Sequence, residues 1–204
     1  MTEPSRIVEV ERKFDVDDAT PLPRWDAIPG VDTVTDGESR DLDAQYFDTA
    51  DGALSRSGVA LRRRTGGPDA GWHVKGPREG DGRLELGWPL GDGEGIPDAV
   101  AATVARWATD SLTPLARIRN DRTAYLFTGP DGVIAEFVDD RVIALDLQRG
   151  RQTAWREWEL ELGPAAPQSL LDRSTFFAAA DTVFAAAGAS PSSSESKLGR
   201  ALGG

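Results

Sequence analysis

Residues 7–15 read IVEVERKFD and alternate between apolar and charged side chains. This period of two is typical of a β-strand whose two faces differ in chemistry. The charged residues Glu9, Glu11 and Lys13 lie on one face, and the apolar residues that alternate with them lie on the other. For this strand taken alone, the simplest explanation is an antiparallel sheet that turns one face to water.

A second strand of this kind is predicted at residues 153–162. Glu157, Glu159 and Glu161 share one of its faces, opposite an apolar face. Three carboxylates at alternate positions repel one another unless cations neutralise them. A face exposed to water usually mixes charges of both signs, so this pattern favours a site that binds cations.

The basic counterpart is the predicted strand at residues 59–64, where Arg62 and Arg64 share one face. If the sheet closes into a barrel, the charged faces of its strands point inward and line a tunnel. Carboxylate oxygens suit the hard cations Mg²⁺ and Mn²⁺, while arginine and lysine suit phosphate oxygens. The combination predicts a site for a metal ion and a polyphosphate.

The composition narrows the class of protein. The length of 204 residues suits one domain with a buried core. The net charge of −11 argues against a general nucleic-acid-binding surface, and the absence of cysteine excludes disulfides and thiolate metal sites. No apolar run reaches the roughly 18 residues of a membrane span, and residues 1–14 lack the pattern of a signal peptide. We therefore expect a cytoplasmic protein with no membrane or nucleic-acid partner.

Lysine is rare, with Lys13, Lys75 and Lys197 the only lysines among 23 basic residues. Lysine carries a compact ammonium group and arginine a planar fork, so the two are not equivalent at a phosphate site. Chance and a compositional bias explain this distribution unless all three lysines fall inside functional motifs. The one histidine, His73, receives no role, because a lone histidine in a strand is more often structural.

The remaining pattern predicts one α+β domain of about eight antiparallel strands and a few helices. Further strands are predicted at residues 44–48, 71–75, 83–89, 115–128, 132–139 and 142–147. Helices are predicted at residues 98–109, 169–187 and 195–202, the last capped by a serine. Residues 29–43 are polar and rich in turn formers, and GPDG at residues 129–132 is a strong hairpin signal.

A series of short motifs follows along the chain. They are Glu9-Val10-Glu11-Arg12-Lys13, Tyr46-Phe47-Asp48-Thr49 with Leu54, Gly58 and Leu61-Arg62-Arg63-Arg64, Trp72-His73-Val74-Lys75-Gly76-Pro77, Arg83-Leu84-Glu85, Arg119 and Arg122 before Tyr125, Glu136-Phe137-Val138-Asp139-Asp140, Glu157-Trp158-Glu159-Leu160-Glu161 and Ser196-Lys197. All three lysines fall inside these motifs. In this order, the motifs resemble those of the CYTH family, also called the triphosphate tunnel metalloenzymes, whose N-terminal signature is Glu-x-Glu-x-Lys.

The resemblance implies a closed eight-stranded antiparallel β-barrel, the triphosphate tunnel, with peripheral helices. It covers a single CYTH-like domain at residues 1–204, with a core at about residues 7–202. The implied function is a metal-dependent hydrolase of triphosphate-containing molecules, either an inorganic triphosphatase or a thiamine triphosphatase. Two alternatives stay open, namely a class IV-type adenylate cyclase and a non-catalytic module that binds polyphosphate or nucleotides. The implied binding partner is a triphosphate-containing small molecule, and a homodimer is left open. The loops at residues 30–43 and 65–71 would determine which substrate is chosen.

The resemblance also implies roles for individual residues. Those implied in catalysis are Lys13, Arg62, Arg64 and Lys75. Those implied in binding phosphate are Lys13, Arg62, Arg64, Lys75, Arg83, Arg119, Arg122 and Lys197. Those implied as ligands of Mg²⁺ or Mn²⁺ are Glu9, Glu11, Asp139, Glu159 and Glu161, with Glu85 and Glu157 as further members of the site.

Two of these assignments leave alternatives. The glutamates at positions 157, 159 and 161 compete for two ligand roles, and Glu159 and Glu161 are the preferred pair. Arg117, Arg119 and Arg122 compete for one or two phosphate contacts, and Arg122 is the preferred match.

Overall fold

Eleven β-strands form one antiparallel sheet in the computed structural model, which describes residues 3–93 and 95–203. The predicted domain also includes residues 1, 2, 94 and 204, which lie outside the described residues. The strands are β1 (Ser5–Glu9), β2 (Glu11–Val16), β3 (Thr33–Val34), β4 (Glu38–Asp48), β5 (Ala60–Thr65), β6 (Gly71–Glu79), β7 (Gly82–Trp88), β8 (Thr113–Gly129), β9 (Gly132–Asp146), β10 (Arg151–Leu162) and β11 (Ser190–Pro191). The helices are α1 (Ala53–Arg56), α2 (Asp98–Val104), α3 (Leu170–Ala187) and α4 (Lys197–Leu202), with a 3-10 helix at Trp25–Ala27.

The sheet is open. Hydrogen bonds join its strands in the order β1-β7-β6-β5-β4-β8-β9-β10-β2-β11, and β3 pairs with β8 beside this path. The predicted closed barrel of eight strands is therefore wrong, because this order has two ends and contains more strands. The sheet does not close because the strand predicted at residues 7–15 divides at Val10. Its first part, β1, pairs with β7, and its second part, β2, pairs with β10 and β11.

Long antiparallel pairings account for the other differences from the predicted strands. β4 starts at Glu38, inside a stretch predicted to be rich in turns, because it pairs with β8 along its whole length. The two strands predicted at residues 132–139 and 142–147 form the single strand β9, which pairs with β8 and β10. In both cases the hydrogen bonds of the ladder outweigh a weak local preference of the sequence.

The last two helices follow the signals in the sequence. Ser169 caps α3 and Ser196 caps α4, each by accepting a hydrogen bond from a backbone N–H three residues further on. Gly188 ends α3 in the left-handed conformation that glycine adopts without strain. The helix predicted at residues 98–109 is shorter than expected, since α2 ends at Val104.

Two helices cover the apolar face of the sheet, which is its outer face. α3 packs there against β9 and β10, and the ring of Phe184 lies 5.3 Å from that of Phe137 and 6.0 Å from that of Trp158. α2 packs in the same way on β5 and β6, where Leu61 and Trp72 are fully buried. Because alternate residues of a strand point to opposite faces, the charged residues that alternate with these apolar ones, such as Arg62, Lys75 and Glu159, point to the inner face.

Replacing Phe184 by alanine should lower the free energy of unfolding by about 3–5 kcal/mol, because a fully buried ring is lost and a cavity remains. The matched control is Leu171→Ala on the same helix, where the residue is 76% exposed. Its loss should stay within about 0.5 kcal/mol. Urea unfolding followed by circular dichroism measures both variants, and equal losses would contradict this description of the core.

Candidate functional site

The inner face of the sheet surrounds a cavity of about 750 Å³. Strands β1, β2 and β4–β10 line the cavity, together with α4 and the loop between β5 and β6. Its charged lining residues are Glu9, Glu11, Lys13, Arg40, Arg62, Arg64, Asp69, Lys75, Arg83, Glu85, Arg122, Glu136, Glu159, Glu161, Glu195 and Lys197. The alternation in the sequence thus directs charged side chains into the cavity and apolar ones toward the helices.

Lys75 on β6 is the centre of one group of ion pairs. Its Nζ lies 2.6 Å from Glu9 Oε2 and 3.0 Å from Glu85 Oε2. Arg62 Nη2 lies 3.5 Å from Glu85 Oε1, and His73 Nδ1 contacts the same oxygen. Burial alone would lower the pKa of Lys75, but the charges of Glu85 and Glu9 raise it above its usual value. Lys75 is therefore held as a cation.

Lys197, the first residue of α4, is the centre of a second group. Its Nζ lies 2.6 Å from Glu157 Oε1, 2.8 Å from Asp140 Oδ2 and 2.8 Å from Glu159 Oε1. Oxygen atoms of these three carboxylates lie within 4.8 Å of one another, and the three residues form a buried acidic cluster of a kind that can hold a metal ion. Burial alone would lower the pKa of Lys197, but the three carboxylates raise it well above its usual value. The ammonium group thus supplies positive charge at the centre of this cluster.

Arg122 and Lys13 extend the second group. Arg122 donates from Nε to Asp140 Oδ1 at 2.8 Å and from Nη2 to Asp140 Oδ2 at 2.7 Å, which makes a bidentate pair. The same Nη2 lies 3.0 Å from Glu159 Oε2. Lys13 Nζ lies 2.9 Å from Glu11 Oε2 and also contacts Glu159. Carboxylates therefore fix the positions of both cations inside the cavity.

Glu161 differs from these carboxylates. The ammonium groups of Lys13 and Lys75 contact Glu11 and Glu9 rather than Glu161. Burial and the negative charges of Glu9 and Glu11 raise the pKa of Glu161 to about 7. Negative charge is therefore in excess at this point of the cavity.

Most of the residues predicted for the site lie in this cavity. All of them line it except Arg119, Asp139 and Glu157. Glu157 lies beside the cavity in the buried acidic cluster. Arg83 lines the cavity, but its guanidinium donates to backbone carbonyls, from Nε to Gly76 O at 2.6 Å and from Nη2 to Gly58 O at 2.9 Å.

Asp139 and Arg119 point to the outer face, so the structure does not bring them to the site. Asp139 Oδ1 accepts a hydrogen bond from Arg156 Nε at 2.8 Å. The side chain of Arg119 is 62% exposed. Asp140 and Arg122, which lie on the same two strands with the opposite alternation, point inward and contact each other.

Sequence reasoning missed several residues of the cavity and of the buried acidic cluster beside it. Arg40, whose Nη1 lies 3.2 Å from Glu136 Oε1, falls in the part of β4 that was predicted to be turn-rich, so no alternation was visible there. Asp140 had a usable signal, because it shares the alternation of Glu136 on β9. Asp69 had none, since it lies in a loop.

Asp15 anchors the segment that carries Lys197. Its carboxylate accepts hydrogen bonds from Ser192 Oγ at 3.0 Å and from Ser193 N at 3.1 Å, and it contacts Arg200 of α4. Burial alone would raise the pKa of Asp15, but these hydrogen bonds and the charge of Arg200 lower it. Asp15 therefore ties β2 to α4 most strongly when it is ionised.

Residues 8–182 match the family model of the CYTH domain, and this range includes the end of β1 and the whole of the other strands of the cavity wall, β2 and β4–β10. The chain belongs to the CYTH domain family. Within this CYTH chain, the matched range holds Glu9, Lys75 and Glu161, and it ends before α4 and Lys197.

Solved structures share the fold of this CYTH chain. A putative adenylate cyclase from Bacillus halodurans has a TM-score of 0.66 and 19% identity, with 96% of this chain and 97% of that chain covered. A putative adenylyl cyclase from Hippeastrum, described as revealing a dominant triphosphatase activity, has a TM-score of 0.57 and 14% identity, with 96% and 94% covered. At such identities the likeness concerns the fold alone.

Closer relatives in sequence come from Mycobacterium tuberculosis. Two uncharacterized proteins from different strains are each 38% identical to the CYTH chain over 216 residues, which covers 98% of the chain. The chain spans only 41% of the length of each of these relatives. Within residues 3–93 and 95–203, no helix is both long enough and apolar enough to cross a membrane.

Replacing Asp15 by asparagine should lower the free energy of unfolding at pH 7 by about 1–3 kcal/mol, because hydrogen bonds to a charged group are lost. The pKa of Asp15 is lowered in the folded protein, so its contribution is present above the unfolded value of about 3.9 and is lost as the pH falls through the folded value. Wild type and Asp15→Asn should therefore converge in acid. Urea unfolding between pH 7 and about pH 3 measures this, and a difference independent of pH would contradict the assignment.

Proposed function

We propose that the cavity binds a triphosphate group and, with Mg²⁺ or Mn²⁺, hydrolyses one of its phosphoanhydride bonds. The observation that carries this proposal is the set of nearly buried ammonium and guanidinium groups that face carboxylates across one cavity of a CYTH chain. Simple anion binding would not require the carboxylates. An inorganic triphosphate or thiamine triphosphate is the substrate that we propose.

The cations of the cavity form the phosphate clamp of this proposal. Lys13, Arg62, Arg64, Lys75, Arg122 and Lys197 all line the cavity. Arginine binds phosphate oxygens with a planar fork, and lysine binds them with a rotatable point charge. Phosphoryl transfer depends on neutralising charge and on aligning the attacking and leaving oxygens, more than on a covalent partner in the protein. A ring of fixed cations meets both needs.

The carboxylates fit a divalent cation. Glu9, Glu11 and Glu161 offer the oxygen ligands that Mg²⁺ and Mn²⁺ prefer, and negative charge is in excess at Glu161. Glu9 is paired with Lys75 and Glu11 with Lys13, just as Glu159 and Asp140 are paired with Lys197. These ammonium groups would have to move before a cation could bind to those carboxylates. A bound Mg²⁺ or Mn²⁺ would neutralise phosphate charge and activate a water molecule. The chain itself supplies the ligands and the phosphate clamp.

An adenylate cyclase would also need a site for the nucleotide base. Among the described lining residues, the aromatic rings are those of Tyr46 and His73. Both ring nitrogens of His73 are engaged, Nδ1 with Glu85 and Nε2 with the carbonyl oxygen of Asp69 at 2.9 Å. This lining favours a substrate that is recognised through its phosphates.

Phosphate release should be measured with inorganic triphosphate, thiamine triphosphate and ATP, in Mg²⁺, Mn²⁺ or EDTA. We expect metal-dependent release that EDTA abolishes, because without a divalent cation the carboxylates of the cavity repel the triphosphate and no metal ion activates the attacking water. The same reactions are assayed for cyclic AMP, whose formation would identify a cyclase instead. Tight triphosphate binding without turnover in any condition would identify a binding module.

Replacing Lys13 by alanine should lower kcat on the order of 10²-fold or more, because one donor to the transferring phosphate is lost. The matched control is Arg141→Ala, which removes a cation that is 54% exposed and paired with Asp18 outside the cavity. Its activity should equal that of the wild type. Full activity of Lys13→Ala at saturating metal and substrate would remove Lys13 from the site.

A further inference from the structure

Arg64 on β5 is the most deeply buried of the cavity's phosphate-clamp cations. Its side chain is 7% exposed. Burial and the positive charges of Arg62 and Arg122 lower the pKa of Arg64 to about 9, so its guanidinium is still charged at neutral pH. A charged group so placed requires an anion beside it.

The anion beside Arg64 comes from a loop. Arg64 Nη2 contacts the carboxylate of Asp69, which lies in the loop of residues 66–70 between β5 and β6. The side chain of Asp69 is 54% exposed. By contrast, Glu9 and Glu159, which pair with the lysines, lie on strands and are 10–11% exposed. Asp69 is thus a half-exposed counter-charge on a loop, and its side chain can turn toward solvent without disturbing a strand.

The loop also contacts His73 of the cavity, and two of its glycines have an unusual backbone conformation. His73 Nε2 lies 2.9 Å from Asp69 O. Gly66 and Gly67, at the start of the loop, have φ angles of 77° and 73°, a conformation that residues other than glycine rarely adopt. Gly66 also approaches the backbone of Asp41 so closely that a Cβ would lie 1.9 Å from Asp41 O. The backbone at this end of the loop therefore requires glycine.

We infer that Asp69 is an internal competitor of the substrate: its carboxylate occupies Arg64 and is displaced from it when a phosphate group binds. This inference rests on the proposed function, in which the cavity binds triphosphate. It makes Asp69 a residue that sets the affinity of the site without being part of the phosphate clamp. Since a phosphate must replace the Asp69 carboxylate, the ion pair weakens triphosphate binding.

The variant that tests this is Asp69→Asn, which keeps the shape of the side chain and removes its charge. We expect the Kd for triphosphate to fall on the order of tenfold, as when a charge-assisted hydrogen bond no longer has to be broken. The matched control is Asp131→Asn in the exposed hairpin turn between β8 and β9, which changes the net charge equally. Its Kd should equal that of the wild type.

Isothermal titration calorimetry gives the Kd values. Inorganic triphosphate is titrated in EDTA, and its nitrogen-bridged analogue, which resists hydrolysis, is titrated with Mg²⁺. The same substitution is then made in an Arg64→Ala background, where Asp69→Asn should no longer tighten binding because its partner is gone. Circular dichroism verifies that each variant is folded.

Each outcome decides the inference. Tighter binding by Asp69→Asn alone, and only when Arg64 is present, supports it. Unchanged or weaker binding by Asp69→Asn overturns it and leaves the proposed function intact. Equal tightening by Asp131→Asn also overturns it, since the effect would then be one of net charge. No binding by any variant in either buffer would refute the proposed function and the inference together.

Discussion

Charges that leave water need counter-charges close by, and this requirement governs the inner face of the sheet. Lys13, Lys75 and Lys197 have side chains that are 13–19% exposed, and each contacts at least two carboxylates. A single buried charge of this kind would cost several kcal/mol. The cations and carboxylates must therefore come together as a set, and the register of the strands must bring them together, as where Lys13 lies opposite Glu159. The register of the strands therefore determines which cations and carboxylates pair.

The break in the first strand at Val10 serves this constraint. The segment before it pairs with β7, so that Glu9 reaches Lys75 in one group of ion pairs. The segment after it pairs with β10, so that Lys13 reaches Glu159 in the other group. One short stretch of chain therefore links both groups, although the sheet itself stays open. Val10 and Phe14 of the same stretch pack in the core with α3, which keeps the charged face turned inward.

The same pairing bears on the proposed function. When a phosphate enters a cavity of paired charges, the cations exchange carboxylate partners for phosphate oxygens. The clamp is therefore already charged and positioned when the phosphate binds. Most of the carboxylates that hold the clamp lie on strands. Asp69 lies on a loop beside Arg64 and can leave, which is why it has a separate role in our account. Lys197 depends on α4, a segment held to the sheet through Asp15.

From the sequence alone one can predict the strand faces at Glu9–Lys13 and Glu157–Glu161, the serine cap of the last helix and the hairpin at residues 129–132. These features follow from a period of two residues or from hydrogen bonds between residues close in sequence, so short stretches of sequence are enough to predict them. The three-dimensional structure was needed to show that the sheet stays open, that Asp140 rather than Asp139 points inward, and that a loop aspartate reaches Arg64. These features depend on pairing between segments far apart in the chain, where ladder hydrogen bonds and buried charge outweigh local preference.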